Sequence, residues 1–116
     1  MLEFTIFYSL MKTFVLGDNK EQVLELIPNK KIKTVQLGAT KVCVTRDGEE
    51  FFVFETLCPH RKASLNQGFI NGMQEVVCHL HEYRFDLRTG QVTSGSCPDL
   101  KIFQSELTEN GLKIQI

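Results

Sequence analysis

Five glycine-bearing signals, Leu37-Gly38-Ala39, Asp47-Gly48, Asn71-Gly72, Thr89-Gly90 and Asn110-Gly111, each separate short runs of β-branched or aromatic residues. Glycine reaches the left-handed backbone that tight reversals need, so this punctuation prescribes a chain that doubles back every few residues. An all-β fold of antiparallel hairpins is expected. Val42 and Val44 alternate with Cys43 and Thr45 before Asp47-Gly48, and Phe51 to Phe54 follow as a nearly continuous apolar run. These segments predict a hairpin of 41–46 with 51–55, the Phe run serving as core packing rather than as an aromatic electron path. Leu112, Ile114 and Ile116 alternate with Lys113 and Gln115, which predicts a second, half-buried hairpin against 101–107.

Only Asp18 to Ile27 reads as helical: Asp18 with Glu21 has the form of a capping box, Val23, Leu24 and Ile27 share a face, and Pro28 stops the run. There are no repeats and no low-complexity linker. With 116 residues, 42% of them hydrophobic, the chain has the size and apolar content of one domain, residues 1–116. Thirteen Lys plus Arg against fourteen Asp plus Glu give a net charge of -1, which supplies no field for a phosphate backbone and argues against nucleic acid as a partner. The apolar stretch from Phe4 to Gly17 is interrupted by Lys12 and falls short of the ~20 residues that cross a bilayer, so no membrane span is expected. It also lacks a basic leader region and a small-residue cleavage site, and a cytoplasmic address is expected. Met11-Lys12-Thr13 begins a clean strand, which makes Met11 the expected natural start and residues 1–10 an N-terminal extension.

Four cysteines in a reducing compartment favour metal binding over a disulfide framework. Two sit in mixed motifs: Cys58-Pro59-His60 and, after seventeen intervening residues, Cys78-His79-Leu80-His81. Each motif brings one thiolate and one imidazole, and two such loops converging make a site of four ligands. A structural zinc site commonly groups two close Cys and then two close His. Mixed pairs suit a binuclear centre, in which each loop bridges both metals.

The two boxes resemble those of the Rieske [2Fe-2S] family, Cys-x-His and Cys-x-x-His. Leu65 and Gly68 after the first box, Phe85-Asp86 and Thr89-Gly90 after the second, and Pro98 later also fit that pattern, over roughly residues 32–116. The resemblance implies an antiparallel β-sandwich with an inserted cluster-binding subdomain, at about 56–96 here. It implies one [2Fe-2S] cluster per chain, with Cys58 and Cys78 on one iron and His60 and His81 on the other. Replacing two thiolates by neutral imidazoles removes two negative charges, so an added electron is accepted more easily.

Respiratory members of the family carry an extra Cys in each loop; Ala63 and Leu80 stand there in this chain, so no loop disulfide is expected. Those members also set Ser and Tyr hydroxyls against the cluster sulfurs, where this chain has Tyr83 and Phe85. Fewer hydrogen bonds to sulfur disfavour the reduced state, which places the expected potential low in the family span, on the order of -150 mV. His79 and Glu82 depart from the Pro and Gly that most members have, making the second loop bulkier.

Among the remaining candidates, His79 is expected to be an exposed loop residue, Cys43 a buried apolar one and Cys97 an unliganded thiol near the cluster. Asp86 is expected to serve a turn. Arg61, Lys62, Arg84 and Arg88 are a candidate docking patch or an ordinary solvated surface, with Glu75, Glu82 and Asp86 as opposing charge. The expected function is a one-electron carrier, a Rieske-type ferredoxin taking electrons from a flavin-dependent reductase and passing them to an oxygenase. No catalytic residue is proposed on the chain. Two alternatives stand beside it: the small Rieske-like subunit of an NADH-dependent nitrite reductase, with the large subunit as acceptor, and a zinc-stabilised interaction module.

Overall fold

The structure, a computed structural model, describes residues 12–116. The proposed extension at residues 1–10 and the start at Met11 lie outside them. The elements in order are β1 (Thr13–Leu16), α1 (Lys20–Leu26), β2 (Lys33–Leu37), β3 (Thr40–Asp47), β4 (Glu50–Glu55), a 3-10 turn (Leu65–Gln67), β5 (Phe69–Ile70), β6 (Glu75–Val77), β7 (Arg84–Asp86), β8 (Val92–Ser94), β9 (Ile102–Thr108) and β10 (Gly111–Gln115). One sheet runs β1-β10-β9-β4-β3-β2 and the other β5-β6-β7-β8, with every pairing antiparallel.

The hairpin around Asp47-Gly48 forms as expected, pairing Val42 with Glu55 through to Asp47 with Glu50. Gly48 has φ 67°, the left-handed value a two-residue reversal demands. The C-terminal hairpin also forms, and β1 adds to its outer edge through Phe14 with Ile114 and Leu16 with Leu112. That last pairing joins the ends of the described chain, and no local pattern encodes it.

Strands β3 and β4 are buried on both faces, because successive side chains point to opposite sides. Val42, Val44, Phe51 and Val53 pack with Val23 and Ile27 of the helical segment and with Leu112 and Ile114 of β10. Cys43, Phe52 and Phe54 face the other way, onto Leu65, Ile70, Val76, Phe85, Leu87 and Leu100. The Phe run therefore belongs to two cores. Fully buried Phe54 is worth ~1.5–3 kcal/mol of apolar transfer and fixes the second sheet against the first.

Two details differ from the sequence expectation. The helix is capped one residue later, by Asn19, whose side chain accepts from the Gln22 backbone N–H at 2.8 Å, while Gln22 Oε1 accepts from the Asp18 N–H. Asp18 and Glu21 play neither part, because with Asn19 as the extended residue the third helical position is Gln22. At the Asn71-Gly72 turn the left-handed residue is Gln74 (φ 57°), not Gly72. The Asn71 side chain builds that turn, accepting from the backbone N–H groups of Met73 and Glu75.

Candidate metal centre

Both boxes sit on loops that leave short buried strands. The first follows β4: the Cys58 N–H donates to the Ala63 carbonyl at 2.8 Å, and the Lys62 N–H donates back to the Cys58 carbonyl at 2.7 Å. The second joins β6 to β7 and closes the same way, the Cys78 N–H donating to the Tyr83 carbonyl at 2.8 Å. In each loop the residue four after the cysteine is left-handed, Lys62 at φ 56° and Glu82 at φ 55°. His81 is left-handed as well, at φ 65°.

Gly68 brings the loops together. A Cβ there would lie 2.1 Å from the carbonyl oxygen of Val77, the residue before Cys78, so only glycine lets the chain returning from the first loop lie against the root of the second. Gly90 does the same for a third loop: its Cβ would meet the Leu100 carbonyl oxygen at 1.9 Å. That loop is closed by Asp99, whose carboxylate accepts from the Val92 N–H at 3.0 Å.

The four predicted ligands are brought together as two pairs. Cys58 and Cys78 are both buried, and they lie close enough for the Cys58 thiol to feel Cys78. Burial first, and then the Cys78 thiol, push the Cys58 thiol above its usual range, although the His60 backbone N–H opposes this. The rings of His60 and His81 meet edge to face with centroids 5.4 Å apart. His81 is exposed, whereas His60 is half-buried. Desolvation, Arg61 and His81 hold the His60 imidazole below its ordinary pKa. Among the described residues, no three Cys, His, Asp or Glu side chains gather closely enough to share one metal ion.

His60 Nδ1 tests whether this arrangement fits a cluster. It is a buried side-chain nitrogen with no hydrogen-bond partner. A buried polar atom left unsatisfied costs ~1–3 kcal/mol unless something else satisfies it. An iron is such a partner. The donor set, a pair of thiols and a pair of imidazoles, fits a binuclear iron–sulfur core of mixed ligation.

The remaining candidates sort by their contacts. His79 is exposed, as expected. Cys43 is fully buried, and desolvation pushes its thiol to about 11. Cys97 is half-buried, packs against the core that contains Cys58 and Cys78, and lies close enough to feel the charge of Cys58. Asp86 serves a turn, accepting from the backbone N–H groups of Arg88 and Thr89 at 2.7 and 3.1 Å. Arg88 does not join a patch around the histidines. It pairs with Glu50 at 2.8 Å and lies over the Phe52 ring, at the start of β4, whereas the first box follows the end of that strand. Sequence reasoning missed Asp99, and it also missed the contact between Tyr83 and the first box: the tyrosine ring stacks on His60 at 3.7 Å and 7°. Pairings between loops leave no periodic signal.

Two antiparallel sheets frame loops that carry a buried pair of thiols and a pair of adjoining imidazoles, the donor types of an iron–sulfur protein. The Rieske [2Fe-2S] domain pattern matches residues 19–104, and the chain belongs to that family. Ferredoxin CarAc of Metapseudomonas resinovorans is 33% identical over 75 residues, 64% of this chain and 69% of the relative. The biphenyl dioxygenase ferredoxin subunit of Pseudomonas sp. (strain KKS102) is 33% identical over 78 residues, 66% of this chain and 72% of the relative. Among solved structures, a chain from the complex of reduced oxygenase and oxidized ferredoxin in carbazole 1,9a-dioxygenase matches at a TM-score of 0.71 and 26% identity, covering 88% of this chain and 91% of that one.

Proposed function

We propose that this chain is a one-electron carrier, a Rieske-type ferredoxin, holding a single [2Fe-2S] cluster through Cys58 and Cys78 on one iron and His60 and His81 on the other. Bound there, the cluster supplies a reversible one-electron acceptor whose imidazole side favours reduction relative to an all-thiolate cluster. The chain's own part is to keep the thiol pair buried, to hold His60 with Nδ1 turned inward, and to leave His81 at the surface where a partner can approach. The chain makes no covalent bond in a substrate. Residues about 56–96 act as the cluster-binding lobe of one domain, with β3 and β4 as its floor.

The observation that carries this reading is the buried, unpartnered His60 Nδ1 beside the paired thiols. The proposed donor is a flavin-dependent reductase and the proposed acceptor a terminal oxygenase. Two relatives are ferredoxins, one of them a dioxygenase subunit, and the third comparison comes from a ferredoxin–oxygenase complex. Such encounters bury little area and are transient. No helix of the described residues is long and apolar enough to cross a membrane.

Anaerobic titration with NADH and a catalytic amount of a ferredoxin reductase tests the proposal. The expected result is uptake of one electron per chain, followed by reoxidation when a terminal oxygenase is added. Colourless protein that contains zinc, lacks acid-labile sulfide and accepts no electron would contradict it.

A further inference from the structure

The ring of Tyr83 lies flat on the ring of His60, with centroids 3.7 Å apart and planes 7° from parallel. Tyr83 belongs to the second loop and His60 to the first, so the stack ties the two loops together at the imidazole side. The third loop also packs on the Tyr83 ring. A Cβ built on Gly95 would lie 2.3 Å from Tyr83 Cδ2 and 2.4 Å from Cε2, and Gly95 has φ 122°. Glycine is therefore the residue that lets the third loop close onto the tyrosine. Its closure is fixed by Asp99 accepting from the Val92 N–H. The phenol ring is thus in contact with both the His60 imidazole and the Gly95 backbone.

Around its Cβ–Cγ bond an imidazole has a broad torsional well, so its own covalent geometry does not decide which nitrogen faces inward. A flat aromatic neighbour at stacking distance narrows that choice and covers one ring face from water. We propose that Tyr83 is a positioning residue for the imidazole side of the centre: braced by Gly95, it holds His60 with Nδ1 turned inward and keeps water from that side. The inference rests on the ligand reading above, but the stack is a property of the polypeptide and is measurable without metal.

The test uses the full chain with 13C- and 15N-labelled histidine. In metal-free wild type, the carbon-bound ring protons of His60 are expected to be shifted upfield by the tyrosine ring current. Tyr83→Leu is expected to lose that shift and Tyr83→Phe to retain it. In protein reconstituted with iron and sulfide, Tyr83→Leu is expected to raise the reduction potential, because water reaching the imidazole side stabilises the added electron. Tyr83→Phe is expected to match wild type. Should Tyr83→Leu fail to fold, Gly95→Ala reads the same contact with the tyrosine present, by pushing its ring off His60. An unaltered His60 shift in Tyr83→Leu or Gly95→Ala would overturn the proposal. So would a lost shift with an unchanged potential, which makes the stack packing only. If no variant and no wild-type protein takes up iron, the electron-carrier reading fails instead, and the metal-free spectra still decide whether the stack exists.

Discussion

The two ligand loops share one frame and strain it differently. Each begins on a buried cysteine whose N–H donates to the carbonyl five residues later, and each has a left-handed residue at the fourth position. The first loop reaches its imidazole two residues after the cysteine, with Pro59 stiffening the path. The second reaches it at the third residue and needs two consecutive left-handed residues, His81 and Glu82, neither a glycine. Equal closure with unequal ligand offset is what places one imidazole half-buried and the other at the surface. The comparison teaches that the frame fixes the thiols, and that backbone strain in the second loop is associated with the exposed histidine.

Removing a ligand breaks the comparison most completely. Cys58→Ala and Cys78→Ala are each expected to abolish the cluster, with iron and acid-labile sulfide falling from two each per chain to none. His81→Cys keeps four donors, so any cluster that assembles is expected to be harder to reduce. Its potential should move toward the all-Cys range, on the order of -400 mV. Potentiometry checks this, and an unchanged potential would contradict the assignment of His81.

The contact between the loops comes next. Gly68→Ala places a Cβ against the Val77 carbonyl, and with backbone atoms on both sides neither loop yields without displacing the other. A loss of about 2–3 kcal/mol is expected, read as a lowered urea midpoint.

Relieving the strain sharpens the comparison. A non-glycine residue in the left-handed region costs roughly 1–2 kcal/mol, offset in part by the larger unfolded-state entropy of glycine. Glu82→Gly is therefore expected to stabilise by about 0.5–1 kcal/mol, and by more than Lys62→Gly, because Glu82 is one of two adjacent left-handed residues. Equal gains in the two loops would remove the asymmetry.

The smallest effect concerns the strand that feeds the second loop. Glu75 is buried, and hydrogen bonds from Thr93 and then Asn71, helped by Arg84, hold its carboxyl below the ordinary value of 4.5. A depressed acid contributes stability above its unfolded pKa and loses it as pH falls through the folded one. Urea midpoints measured from pH 5 down to 3 are expected to fall less steeply in Glu75→Gln than in wild type.

Much of this was legible in the sequence because local chemistry writes it there. Alternation set the β3–β4 and β9–β10 hairpins, and Asp47-Gly48 and Asn110-Gly111 placed their turns. The four donor residues stood out by type and spacing, and Asp86 by its place before Thr89-Gly90. The helix cap moved by one residue because Asp18 and Asn19 are both good caps and only the fold chooses between them. The pairing of β1 with β10, the engagement of Arg88 by Glu50, and the stack of Tyr83 on His60 are contacts across many residues of chain. Periodicity carries no record of such contacts. The Phe run was legible as core, but its division between two cores follows from a second sheet that no window of sequence displays.

The most direct test of mixed ligation is the electron paramagnetic resonance spectrum of the dithionite-reduced protein. Two imidazoles on one iron predict a rhombic signal whose average g lies below that of an all-cysteine [2Fe-2S] cluster. A signal with the all-cysteine average, or no paramagnetic centre in protein that holds a single zinc, would contradict the account.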